Sequence, residues 1–191
     1  WTKLYGGDIK TTGNYIETSD SNTVSSVIKF VSESRKEITD IVVEDGQFLM
    51  GFEFMRRAKE SGYGKFADIG VNMAKVLESS RNTRKDLKVY FMWHPETDNT
   101  GNKKMKTVGK MCDDYLTLEG LFTVILYTNV SKGADNRTKY NFVTNNDGTS
   151  PAKSPIGMFN EMYIPNDLAF VSESIDHYNS GETVVAKLTT A

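Results

Sequence analysis

Apolar residues recur along this chain with two periods, and each change of period marks an element. From Thr23 onward Val24, Val27, Ile28 and Val31 fall at the three-and-four spacing of one helix face. An amphipathic helix is therefore expected from residue 23 to about 34–36, with Ser21 or Asn22 able to cap it. Residues 38–43 are a short run dominated by β-branched side chains and closed by Glu44, Asp45 and Gly46, the pattern of a buried parallel strand entering a turn. Helical spacing returns over 47–60, where Phe48, Met50, Phe54 and Met55 are apolar, breaks at Ser61-Gly62-Tyr63-Gly64, and resumes over 65–84 with Phe66, Ile69, Met73, Val76 and Leu77 on one side. Residues 87–93 are nearly all apolar or aromatic and stop at His94-Pro95-Glu96, because proline has no N–H for the ladder.

Before and after these elements the pattern weakens. Residues 11–23 are rich in Thr, Ser, Asn and Asp and read as a loop with at most a short strand around 15–17. Residues 97–107 hold Asp98, Asn99, Gly101 and Asn102, then Lys103, Lys104 and Lys106, the composition of an exposed basic loop. Residues 121–128 and 139–144 predict an antiparallel pair joined through Gly133, and Asn145-Asn146-Asp147-Gly148 turns the chain again. A last helix is expected over 165–178. Two apolar strands alternating with helices and followed by a hairpin give an α/β fold, with a mostly parallel sheet and an added edge. No repeat or linker divides the chain, so a single domain over 1–191 is expected.

Composition narrows this picture. With 191 residues and 38% hydrophobic content the chain is long enough for a packed core. A net charge of -2 supplies no overall basic field, so nucleic-acid binding needs a local patch or an assembled oligomer. The single cysteine, Cys112, excludes an internal disulfide and fits a reducing compartment as an apolar filler. No run approaches the length of a membrane span and no signal-like start is present, so a cytosolic protein with no membrane association is expected.

The strand ending at Val43 would deliver Glu44 and Asp45 to the carboxyl end of a sheet, where open α/β sheets bind ligands. That is the form of a Walker B motif, in which one acid holds the magnesium beside nucleotide phosphates and the other positions the attacking water. It is equally the form of a strand entering a solvated turn. His94, at the end of the second strand, suits a sensor of the γ-phosphate or the catalytic water, or merely ends a strand. A metal set of His94, Glu96 and His177 matches no ligand spacing. Lys103, Lys104, Lys106, Lys110 and Lys153 could touch phosphates of a nucleotide or of DNA, or form a solvated face. Asp113, Asp114 and Glu119 acquire no role from the sequence.

Taken in order, Ile41-Val42-Val43-Glu44-Asp45-Gly46-Gln47, Phe91-Met92-Trp93-His94-Pro95-Glu96, Lys106-Thr107-Val108-Gly109-Lys110-Met111, Leu118-Glu119-Gly120-Leu121-Phe122-Thr123, Ala152-Lys153-Ser154-Pro155 and Ile164-Pro165-Asn166-Asp167-Leu168 resemble a bacteriophage family of RecA-like, AAA-type ATP-binding proteins associated with single-strand-annealing recombination. The resemblance spans nearly the whole chain, Trp1 to Tyr5 included. It implies a RecA-like P-loop core with helices on both faces of the sheet, ATP and Mg2+ as ligands, single-stranded DNA as partner, a homo-oligomer, and the bacterial host cytoplasm as location. Glu44, Asp45 and His94 would be catalytic, Glu44 and Asp45 the metal ligands, and Lys106, Lys110 and Lys153 cofactor contacts, with Lys153 able to act on a neighbour's nucleotide. Two departures stand out. No Gly-x-x-x-x-Gly-Lys-[Ser/Thr] occurs in the chain, so the first strand and its phosphate loop are expected to be missing by amino-terminal truncation. The family also usually has aspartate at both acidic positions and an aromatic where Gly46 stands. The expectation is a parent ATPase in phage recombination or replication, with this chain alone inactive and its exposed strand edges open to aggregation; the alternative is a non-catalytic adaptor with a degenerate nucleotide core.

Overall fold

The computed structural model describes residues 7–10 and 12–181, so the Trp1 to Tyr5 part of the resemblance lies outside the described residues. The chain forms two compact units, one of the residues up to Met92 with Thr107–Met111, the other of Trp93–Lys106 with Cys112 onward.

In the first unit Asp20 caps helix α1 (Ser21–Ser34), its carboxylate accepting the Thr23 N–H at 2.8 Å. No strand forms around residues 15–17. Strand β1 (Asp40–Val43) leads through a turn to α2 (Gln47–Arg56), then α3 (Gly64–Arg81) and β2 (Lys88–Phe91). On α1 and α3 residues of the face read from the sequence are buried, Val24, Ile28 and Val31 on α1 and Ile69, Met73, Val76 and Leu77 on α3; on α2 only Met50 of the expected set is buried, beside Leu49, while Phe48 and Met55 are exposed. Helix α3 packs against both other helices. Burying such side chains stabilises the unit by roughly 1.5–3 kcal/mol each. Polar cross-links finish the core. Arg84 donates to the carbonyls of Val31 and Ser32 at the end of α1, and to those of Lys36 and Ile38 beyond it. Arg57 joins Glu53 and Glu60 to Asp68 of α3.

The second unit opens with a short hairpin of β3 (Pro95–Thr97) and β4 (Lys103–Met105). A one-turn helix α4 (Met111–Tyr115) and a 3-10 turn (Leu118–Leu121) follow. Then come β5 (Tyr127–Lys132), β6 (Thr138–Val143) and β7 (Tyr163–Pro165), and finally α5 (Leu168–Ser180), capped by Asp167. Phe142, Val143, Ile164, Met158, Leu118 and Val171 are buried here.

The mostly parallel RecA-like sheet expected from the sequence does not form among the described residues. The strands fall into three small sheets: β1–β2, β3–β4 and β5–β6–β7. Only β1 and β2 are parallel, with Asp40 opposite Lys88 and Val43 opposite Phe91. The reason is connectivity. Parallel pairing needs a long crossover, which α2 and α3 supply between β1 and β2. The chain from β3 to β4, and from β5 to β6, returns within a few residues and permits only antiparallel pairing. The basic loop expected over 97–107 is in fact this β3–β4 hairpin around Asp98, whose carboxylate accepts the Thr100 and Asn102 N–H groups. The later hairpin is real, but it starts at Tyr127; Leu121 ends the 3-10 turn.

Candidate functional site

The acidic turn after β1 is the most defined candidate site in the first unit. Because β1 and β2 run parallel, their carboxyl ends lie at the same end of the sheet. The turn is sewn to β2: the Met92 N–H donates to the Val43 carbonyl at 2.9 Å, and the Gly46 N–H donates to the Met92 carbonyl at 2.9 Å. Glu44 and Asp45, between those rungs, are both exposed. Asp45 sits in the left-handed region with φ 53°, a conformation that aspartate tolerates better than branched residues do. Its carbonyl accepts the Phe48 N–H at 2.9 Å, which starts α2. Two consecutive carboxylates are thus held at the carboxyl end of a parallel pair, the position at which α/β sheets meet ligands.

Magnesium is bound through one or two carboxylates, with water and phosphate oxygens completing its shell. Glu44 and Asp45 supply hard oxygen donors of that kind, so the donor set fits the ion. The phosphates of a nucleotide are another matter, since the chain has no glycine-rich loop to cradle them.

The other sequence-derived candidates are each described within their own unit. His94 belongs to the second unit and is exposed; its carbonyl accepts the Lys106 N–H at 3.2 Å. Lys106 is exposed, with its carbonyl held by the Trp93 Nε1–H at 2.8 Å. Lys110 is exposed in the first unit. Lys153 is half-buried and exchanges two backbone hydrogen bonds with Ile125, at 2.8 and 2.9 Å.

A different grouping escaped the sequence reading. Lys104 stands opposite Glu96 across β3–β4 and reaches it at 3.0 Å, while Asp113 of α4 takes the same ammonium at 2.6 Å. Asp113 first, then Glu96, hold the Lys104 ammonium well above the usual lysine range. Glu119 accepts the Met105 N–H at 2.6 Å. These residues tie the β3–β4 hairpin to the segment that follows it, which assigns Asp113 and Glu119 and removes Lys104 from the phosphate candidates. Among the described residues no three His, Cys, Asp or Glu side chains are grouped to hold an ion. Cys112 is fully buried, and burial, with the Asp113 charge adding, pushes its thiol up, away from nucleophilic use.

Among the described residues no helix is long and apolar enough to cross a membrane. Comparison with protein-family models, with curated proteins and with solved structures gives no match.

Proposed function

We propose that the protein is a nucleotide-hydrolysing phage protein working with single-stranded DNA in recombination or replication, with ATP and magnesium as ligands. The observation that carries this reading is the turn at Glu44 and Asp45, two exposed carboxylates fastened at the carboxyl end of the β1–β2 parallel pair. The ordered series of motifs running from Ile41 to Leu168 supports it. Magnesium bound there would neutralise phosphate charge. One carboxylate would hold the ion, and the other would orient water toward the phosphate. Lys110, exposed and in the same unit as the acidic turn, is a candidate phosphate contact in this reading.

The test is ATP hydrolysis by the protein encoded by the full gene, with and without single-stranded DNA, beside a Glu44→Gln, Asp45→Asn double variant. DNA-stimulated turnover that falls on the order of a hundredfold or more in the variant is expected. Absence of turnover in both proteins would overturn the enzyme reading in favour of a non-catalytic binding module.

A further inference from the structure

The β5–β6 hairpin runs out beyond the sheet that supports its base. β7 pairs only with Asn141, Phe142 and Val143 of β6, and on the other side the Ile125–Lys153 bridge lies before β5 begins. Val130–Lys132 and Thr138–Tyr140 therefore form a two-stranded arm, and every one of these residues is exposed. The tip is ordered: the Gly133 N–H donates to the Arg137 carbonyl at 2.8 Å, and the Asn136 N–H donates to the Gly133 carbonyl at 2.9 Å.

The arm carries an unusual surface. Val130 and Tyr140 stand directly opposite each other and are 56% and 60% exposed. Lys132 lies on the same face one rung further out, opposite Thr138, while Lys139 occupies the other face opposite Ser131. Arg137 at the tip is 87% exposed. Residues 127–143 contain three cations, Lys132, Arg137 and Lys139, against the single carboxylate Asp135, a local charge of +2 on a chain whose total is -2.

Lysines alone would be explained as protection of open strand edges against pairing. That purpose leaves the exposed tyrosine and valine without a reason, since protection calls for polar residues there. A solvent-facing aromatic ring among cations is the combination that binds single strands: a base stacks on the ring and the phosphates meet the charges. We infer that the β5–β6 arm is a single-stranded nucleic-acid contact, with Tyr140, backed by Val130, as the stacking platform and Lys132, Arg137 and Lys139 as phosphate contacts. This rests on the functional reading above and supplies the DNA site that reading lacks. Arm-to-arm pairing of two copies is disfavoured, because it would bring two +2 segments together.

The test is fluorescence anisotropy of a labelled oligo-dT, with an oligo-rU of equal length and a duplex as competitors. Tyr140→Ala should weaken oligo-dT binding about tenfold, Tyr140→Phe should preserve it, and duplex should compete poorly. Preferential competition by oligo-rU would assign the same site to RNA. Unchanged affinity in Tyr140→Ala and in a Lys132→Gln, Lys139→Gln double variant would overturn the inference, as would equal binding of duplex. A change in sedimentation of the Tyr140 variants without a change in nucleic-acid binding would overturn it too, marking the arm as a protein interface. ATP hydrolysis without DNA, measured on the same variants, separates the two claims: normal hydrolysis with normal DNA binding would sink the arm alone, and absent hydrolysis with Tyr140-dependent DNA binding would sink the enzyme reading alone.

Discussion

Arg84 illustrates how much of the first unit hangs on one side chain. Helix α1 ends at Ser34, where the Val31 carbonyl accepts the Arg35 N–H at 3.1 Å and the Ser32 carbonyl accepts the Lys36 ammonium at 2.6 Å, so Arg84 is an additional donor to both. Arg84 donates to Val31 and Ser32 at 2.9 and 3.3 Å and continues to the carbonyl of Ile38, just ahead of β1. Its backbone N–H in turn donates to the Ser32 hydroxyl at 2.9 Å. The side chain is only 14% exposed, so the carbonyls it serves would be poorly replaced by water. Arg84→Met, which keeps the stem and removes the donors, is expected to cost about 3 kcal/mol. Urea denaturation would show this as a lower midpoint with an unchanged slope. Asp86→Asn removes only the exposed ion pair of the same arginine and should leave the midpoint nearly unmoved. Nothing in the polar stretch Arg81-Asn82-Thr83-Arg84-Lys85-Asp86 announces this role, since the partners are backbone carbonyls about fifty residues earlier and carbonyls leave no trace in a sequence.

At the scale of elements, helices α1 and α3 were the legible part, whereas on α2 the expected Phe48 and Met55 are exposed and Leu49 is buried instead. Val24, Ile28 and Val31, and Ile69, Met73, Val76 and Leu77, are spaced for one helical face and are the residues buried. The β3–β4 hairpin was not legible, because its strands are held by charge more than by alternating apolar residues. Glu96 faces Lys104 across the ladder, and Asp113 joins from α4. Composition shows only an acid, a proline and several lysines, which is also what a loop contains. The candidate site divides in the same way. The position of Glu44 and Asp45 at a strand end followed from the run of β-branched residues before them, whereas the left-handed turn at Asp45 and the engagement of Lys104 depend on tertiary partners. The Lys104 cluster is partly exposed, so its worth is discounted for solvent. Lys104→Met should destabilise the second unit by about 0.5–1 kcal/mol, and 1 M salt should erase most of the difference between variant and parent. Thermal unfolding at two ionic strengths measures both, and a difference that persists at high salt would show that packing of the lysine stem carries the effect.

Charge, read over the whole molecule, constrains how it can meet a polyanion. The chain is acidic overall, with a pI near 5.8, and its total of -2 becomes -4 once the +2 of residues 127–143 is set aside. A long nucleic acid lying across such a surface would meet repulsion away from the arm, so contact should be confined to few phosphates. Each phosphate neutralised on a single strand contributes about 0.7 to the slope of log affinity against log salt, so three cations set a slope of about 2. Raising salt from roughly 50 to 200 mM should then weaken oligo-dT binding by roughly 20-fold, far less than an extended basic groove would show. The stacking part, which depends on Tyr140, should survive at high salt because it involves no counterion release. An anisotropy titration at several salt concentrations reads both terms, the slope reporting the cations and the residual affinity the ring. A slope well above 2 would require more cations than the arm possesses and would move the binding surface elsewhere on the molecule.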